Sequence, residues 1–414
     1  KVKSIMIPNH FDYQRYRMSP KKVKNKIKKM GWDKVIAFQT RNPLHRAHVE
    51  MTLRSMEKLD ANLLLHPVVG LTKSGDLDHY TRVRCYEHII KKYPNNSAFL
   101  ALLPLAMRMG GPREALLHSI IRKNYGCSHI IIGRDHAGPG MNNNGDFFYG
   151  PYEAQHLVRK FESEIGIKMI PFQFMVYVPK EKNYRELESL NSEIKYETLS
   201  GTELRNRLDN GLKIPKWFSY PEVTSELVKS RPPKHKKGFT VFFTGLSGSG
   251  KSTLANGLLV KLSEKNDRVI TLLDGDIVRT HLSSELGFSK KHRSLNVRRI
   301  GYVAGEITKH GGIAICAPIA PYQSDRQSNK DLISQLGGYI EIYVSTSLEK
   351  CKERDSKGLY KLAREGKIKE FTGISDPYEI PENPDISINS DGSKTPNFLI
   401  GKIIKHLHKI GFLK

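Results

Sequence analysis

The stretch FTVFFTGLSGSGKSTLANGL at 239–258 joins an apolar, β-rich run to a helix-forming one through GLSGSGKS at 245–252. This is G-x(4)-G-K-[ST] in the strand–loop–helix setting that the motif requires. Its glycines let backbone N–H groups converge on phosphate oxygens, and the following helix start adds positive potential. Gly245, Leu246, Ser247, Gly248, Ser249, Gly250, Lys251, Ser252 and Thr253 are therefore candidate nucleotide-binding residues. Lys251 is expected to reach the outer phosphates, and the Ser252 hydroxyl to hold Mg²⁺.

Such a loop opens its own domain, yet here 238 residues precede it. With 414 residues the chain is too long for one ordinary core, so two domains are expected. The segment KSRPPKHKKG, 229–238, with two prolines, a charge run and a closing glycine, is the linker candidate. It divides the chain into 1–228 and 239–414. On both sides apolar strand candidates alternate with helical patterns: KVIAFQT, ANLLLHPVVG and HIIIGRD upstream, RVITLLDGD, GIAICAPI and YIEIYVS downstream. The fold class is thus α/β, with helix-covered parallel sheets in each half. Ligands belong at the carboxyl ends of the strands, where the polar motifs fall.

Lys and Arg number 67 against 42 Asp and Glu, a formal charge of +25 that attracts polyanions. The basic residues are spread along the chain, which argues against a nucleic-acid partner and for small anions such as nucleotide phosphates and sulfate. The densest cluster, SPKKVKNKIKKMGW at 19–32, reads as a helix. Ser19 caps it, Pro20 opens it, Val23, Ile27 and Met30 share one face, and Gly31 ends it, so the lysines form its solvated side. Mean hydropathy is −0.46 and no apolar run is long enough to span a bilayer, so no membrane partner is expected. Cys85, Cys127, Cys316 and Cys351 lack CxxC spacing, which fits a reducing cytoplasm. No secretory leader is apparent, and a start on Lys1 suggests that residues upstream have been removed or were never included.

The acceptor of the phosphate-loop half is narrowed by LDGDIVRTHLSSELGFSKKHRSLNVRR, 273–299, and KGLYKLAREGKIKEFTGISDPYE, 357–379. These resemble the adenylyl sulfate kinase family over nearly all of 238–414. The resemblance implies a P-loop NTPase fold that phosphorylates the ribose 3′-hydroxyl of adenylyl sulfate. That chemistry needs a carboxylate to orient the hydroxyl and take its proton, a role for Asp274 or Asp276. It needs cations for the acceptor's phosphate and sulfate, for which Arg279 and Arg293 are candidates, and flat apolar surfaces for adenine, Phe288 and Phe371. Asn296 and Lys357 complete the expected substrate set. The chain departs from the family's pattern at Ile277, Ala320 and Gln323, so no phosphoserine intermediate is available at 320. Direct in-line transfer does not need one.

In the first half, QTRNPLHRAH at 39–48, MRMGGPREALLHSIIRKNYGC at 107–127, GRDHAGPG at 133–140, SGTELRNRL and IPKWFSYPEV resemble the ATP sulfurylase family over about residues 1–225. His45 and His48 stand one turn apart at a helix start. They lack further ligands at zinc spacing, and suit the oxygens of an ATP whose α-phosphorus is attacked. Sulfate is a weak nucleophile, so rate comes from orientation and charge neutralisation, for which the planar Arg41 is fitted. The resemblance implies a Rossmann-like nucleotidyltransferase domain of the HxGH type. It assigns sulfate to Gln39, Arg41 and Ala137, and ATP to Thr40, Asn42, His45, His48, Gly133, Arg134, Asp135, His136 and Met175, with Gln39 alongside. That family usually carries a further amino-terminal β-rich domain, which the sequence from Lys1 is expected to lack; the resemblance also implies a homo-oligomer and, from the order of the halves, a bifunctional 3′-phosphoadenylyl sulfate synthase. The alternative is a sulfurylase whose second half senses that product without catalysis. Such modules typically lose the phosphate loop, which is intact here.

Overall fold

The structure, a computed structural model, describes residues 10–70, 76–172, 174–265, 267–355, 357–368 and 370–414. It divides into two compact units, Lys1–Pro232 and Pro233–Lys414. Residues 229–238, read as a linker, hold the end of a helix that runs to Ser230 and a 3₁₀ turn at Lys234–Lys236.

The first unit runs α1 (Pro20–Lys29), β1 (Val35–Phe38), α2 (Arg46–Leu59), β2 (Asn62–Leu65), α3 (His79–Ile89), β3 (Ala98–Leu100), α4 (Pro112–Asn124) and β4 (His129–Ile132). It continues with α5 (Glu153–Lys160), α6 (Glu162–Ile165), β5 (Lys168–Pro171), β6 (Met175–Val178), β7 (Asn183–Glu186), α7 (Gly201–Asn210) and α8 (Pro221–Ser230). Five strands make one parallel sheet in the order β3-β2-β1-β4-β5, while β6 and β7 form an antiparallel ribbon. The sheet is buried on both faces, as parallel sheets are. Along β1, Ile36 and Phe38 join one apolar cluster and Val35 and Ala37 the other. The chain moves outward from β1 to β3 and then returns to place β4 against β1. That reversal opens a crevice at the carboxyl ends of β1 and β4. Helix α1 is capped by Ser19, whose Oγ accepts from Lys22 N, and it buries Val23 and Ile27 with its lysines outward.

The second unit runs β8 (Phe239–Thr244), α9 (Lys251–Ser263), β9 (Ile270–Asp274), α10 (Gly275–His281), α11 (Lys290–Lys309), β10 (Ile313–Ala317), α12 (Gln323–Ser334), β11 (Gly338–Val344), α13 (Leu348–Arg354), α14 (Leu359–Arg364), β12 (Ile386–Ile388) and α15 (Pro396–Lys409). Its sheet is also wholly parallel, ordered β12-β11-β8-β10-β9, with β8 at the centre and every residue of β8 buried. Phe239, Val241 and Phe243 pack under α9 and α15, while Phe242 faces α11. All four cysteines are free and buried. Among the described residues no helix is long and apolar enough to cross a membrane.

Candidate functional sites

In the first unit the expected residues gather at the β1–β4 crevice. Gln39 to Asn42 leave the end of β1, and Gly133 to Ala137 leave the end of β4. The two loops are tied through α4: His118 Nδ1 lies 2.9 Å from Gln39 Nε2 and 3.0 Å from His136 Nε2. The β1 loop is fixed by its own backbone. Asn42 N–H donates to Thr40 Oγ1 at 3.0 Å, Tyr86 OH donates to Asn42 O at 2.9 Å, and Arg82 Nη1 to Arg41 O at 3.0 Å. Arg41 itself pairs with Asp76 at 2.6 Å.

His45 is the N-cap of α2 and His48 stands at its third position. The His45 backbone N–H donates to His48 Nδ1 at 3.2 Å, which leaves the proton of a neutral His48 on Nε2. His45 Nδ1 meets Ser219 Oγ at 3.0 Å, and its ring lies 4.3 Å from that of Phe218, so the IPKWFSYPEV segment forms one wall. Burial holds His45 at a pKa of about 3, helped by the neighbouring His48, and burial holds His48 at about 4. Both are therefore neutral hydrogen-bonding groups at the positive end of a helix.

After β4, Asp135 and Ala137 have φ of 50° and 56°, a left-handed backbone that turns the loop sharply. Gly111 N–H donates to Ala137 O at 3.0 Å, and a Cβ on Gly111 (φ 57°) would meet the Tyr149 ring at 2.4 Å. Arg134 is exposed, its guanidinium 6.0 Å from the Tyr152 ring centre. Met175 opens β6 and is buried in the same core as β1.

In the second unit a cleft of about 880 Å³ opens at the end of β8. Among its lining are Ser247, Gly248, Gly250, Lys251, Ser252 and Thr253 from the phosphate loop, and Asp274, Asp276, Arg279, Phe288, Arg293, Asn296, Lys357 and Phe371 from the substrate set. Gly245, Leu246 and Ser249 are not part of that lining. Gly250, at φ 101°, caps α9, and a Cβ there would meet Ser390 Oγ at 2.8 Å. Lys251 Nζ donates to the loop's own carbonyls, Gly245 O at 2.9 Å and Leu246 O at 2.7 Å. Burial lowers its pKa to about 8. Ser252 Oγ donates to Asp274 Oδ2 at 2.7 Å, and Asp274 caps α10 through Asp276 N at 3.1 Å.

Arg293, expected to face an anion, is buried and pairs with Asp376. It also donates to Tyr322 OH at 3.0 Å, Thr372 Oγ1 at 2.8 Å and Glu370 O at 2.8 Å. In this geometry it straps segment 370–376 over the cleft. Arg279 lies 4.5 Å over the exposed Phe288 ring and donates to Leu286 O and Gly287 O, each at 3.1 Å. Lys357 pairs with Asp276, and Asn296 Oδ1 is buried without a hydrogen-bond partner. Phe371 packs edge-on against Tyr360.

Residues 14–230 match the family model described as ATP-sulfurylase, and residues 237–389 the one described as adenylylsulphate kinase. The chain belongs to the ATP-sulfurylase family. Its first unit is an ATP-sulfurylase domain and its second an adenylylsulphate kinase domain. It is 50% identical over 414 residues to a sulfate adenylyltransferase of Coccidioides immitis strain RS, covering 100% of this chain and 72% of that protein. It is 52% identical over 395 residues to one of Phaeosphaeria nodorum, covering 95% of this chain and 68% of that protein. A solved structure described as a hexameric APS kinase from Thiobacillus denitrificans matches at 38% identity with a TM-score of 0.78, over 98% of this chain and 72% of that one.

Several residues of the ATP-sulfurylase and kinase sites escape a motif reading. Glu114 and His118 lie inside a quoted motif of the sulfurylase half, yet only their burial, 6% and 0% exposed, singles them out. In the kinase half, Arg354, Ser390, Gly392 and Lys394 line the cleft beside the phosphate loop. They come from α13 and from SDGSKTP, 390–396, whose turn composition marks a loop but no ligand.

Proposed function

We propose that the two sites act in series on sulfate. The ATP-sulfurylase domain joins sulfate to ATP, giving adenylyl sulfate and pyrophosphate. The kinase domain then phosphorylates adenylyl sulfate at its 3′-hydroxyl, with ATP as the donor in both steps. In the first, a sulfate oxygen bonds to the α-phosphorus as the bond to pyrophosphate breaks. Arg41 and Gln39 orient the sulfate, Ala137 borders it, and the Nε2–H of His48 with His45 supports the charge that builds on the leaving oxygens. Thr40, Asn42, Gly133, Arg134, Asp135 and His136 take the nucleotide. In the second step the 3′-oxygen bonds to the γ-phosphorus, ADP leaves, and the proton passes to Asp276 or Asp274.

Mg²⁺ fits the kinase site. Ser252 Oγ and Asp274 Oδ2 put two hard oxygen ligands side by side, with the Asp276 carboxylate exposed nearby. Among the described residues no group of three or more His, Cys, Asp or Glu side chains is placed to hold a metal, so the nucleotide's phosphates would supply the rest of the shell. Bound there, the ion screens phosphate charge. A homo-oligomer is part of this reading, in line with the hexameric description of the Thiobacillus denitrificans protein.

The observation that carries the reading is the gathering of each motif set, dispersed in sequence, at the carboxyl ends of central parallel strands. A product-sensing second domain is less well supported, because its phosphate loop keeps Lys251 and Ser252 in place beside Asp274. Incubation with Mg–ATP, labelled sulfate and pyrophosphatase tests the proposal. The parent should yield 3′-phosphorylated adenylyl sulfate, and Lys251→Ala only adenylyl sulfate. Adenylyl sulfate alone from the parent would remove the kinase step.

A further inference from the structure

Helix α4 is built inside out. Glu114, His118 and Arg122, spaced four apart on one face, are 6%, 0% and 0% exposed, while Leu117 and Ile120 on the other side are 47% and 41% exposed. A surface helix ordinarily buries its apolar stripe. Burying a carboxylate, an imidazole and a guanidinium instead is costly unless each is engaged.

Glu114 and His118 are engaged beside the sulfurylase site, although His118 Nε2 and Arg122 Nε have no hydrogen-bond partner among the described residues. The Glu114 carboxylate accepts from Arg108 N at 2.9 Å and Gly110 N at 2.8 Å, and lies 3.5 Å from His118 Nε2. The other ring nitrogen of His118 faces Gln39 Nε2 at 2.9 Å and His136 Nε2 at 3.0 Å. A carboxylate beside Nε2 favours a proton there, which leaves Nδ1 a single lone pair shared by the Gln39 amide and the His136 ring. Arg122 donates to His66 O at 3.1 Å, and burial together with nearby positive charge opposes a second proton on His118 or His136.

We propose that His118 is a positioning residue of the sulfurylase site, held by Glu114 as the neutral Nε2–H tautomer so that its Nδ1 orients both the Gln39 amide and the His136 ring. This rests on the reading that Gln39 and His136 contact the sulfurylase substrates. It also assigns a ligand chemistry. His136 spends its Nε2–H on His118, so its Nδ1 is an acceptor, suited to the adenine amino group or a ribose hydroxyl and not to a phosphate oxygen. His48 is the reverse, with a free Nε2–H suited to phosphate.

The test is nitrogen-15 histidine NMR of the full chain at pH 7, with His118 and His136 assigned by their loss in His118→Asn and His136→Asn. Both rings should show the Nε2–H pattern; an Nδ1–H or imidazolium pattern at either overturns the proposal. In sulfurylase assays His118→Asn, whose Oδ1 takes the place of Nδ1, should keep kcat/KM within about threefold, while His118→Gln and His118→Leu lose about tenfold or more. Equal losses in all three would also overturn it. A parent chain that makes no adenylyl sulfate would sink the functional reading instead, and the NMR patterns would still decide the tautomer.

Discussion

Lys251 holds its ammonium against Gly245 O and Leu246 O at the root of the phosphate loop, where burial lowers its pKa to about 8. A bound polyphosphate favours the charged form and raises that value again. Nucleotide binding to the kinase domain is therefore coupled to proton uptake at pH 8.5, where a large share of Lys251 is neutral beforehand. Calorimetry of a non-hydrolysable ATP analogue in two buffers of different ionisation heat measures the uptake directly. The difference between the parent and Lys251→Met should be a substantial fraction of one proton at pH 8.5 and near zero at pH 6.5. Equal uptake by both at pH 8.5 would show that Lys251 is not the coupled group. A motif places this lysine in sequence, but its contacts and its lowered pKa come only from the folded loop closing around it.

The elements show the same boundary between what the chain announces and what only packing supplies. Strands β1, β2, β4 and β8 to β11 could be read because each is a short apolar run ending in turn residues, and α1 because its cap, period and closing glycine agree; the polar β7, NYRE, carries no such signal. The helical pattern PREALLHSIIRKN announces α4 over its observed length, but its Leu117 and Ile120 positions suggest the wrong buried face. The motif names Arg293 as a cleft residue, but its partners Asp376 and Tyr322, 83 and 29 residues away in sequence, come only from the fold. The helix that carries Arg293, α11, also shows how closely elements pack behind the site. A Cβ on Gly301 would meet Asn329 Oδ1 of α12 at 2.0 Å, and Asn329 is held by its Nδ2 donating to Val297 O at 3.0 Å. Gly301→Ala gains about 1 kcal/mol of helix propensity but overpacks a fixed side chain, costing about 1–3 kcal/mol. The steric effect should win and lower the kinase domain's melting midpoint by a few degrees. A Gly257→Ala control meets only the Ile400 Cδ1 methyl, which can swing away, and should be milder. A Gly301→Ala midpoint at or above the parent's would show that α11 and α12 part easily.

At the scale of the whole molecule, the two domains should differ in their response to acid. His45 and His118 are buried and neutral in the sulfurylase domain, with pKa values of about 3 and about 2, lowered chiefly by burial. Buried His66 is lowered in the same direction by burial and by Arg122. A group whose folded pKa is depressed contributes full stability above its unfolded value and loses it as pH falls. From pH 7.5 to 5.5 the unfolded chain gains these protons and the folded chain does not. The loss is about 1.4 kcal/mol for each of His45 and His118, about 3 kcal/mol for the pair. That is a large part of the roughly 5–15 kcal/mol available to a domain, and the window lies above the range in which paired carboxylates are lost. The readout is built into the chain, because both of its tryptophans, Trp32 and Trp217, lie in the sulfurylase domain. Urea unfolding followed by tryptophan fluorescence should therefore shift to a lower midpoint at pH 5.5 than at pH 7.5, at an unchanged slope. A tryptophan-detected midpoint that holds or rises on acidification would mean that these imidazoles accept protons in the folded state, and that the neutral, hydrogen-bonding histidines on which the sulfurylase mechanism depends are not what the site contains.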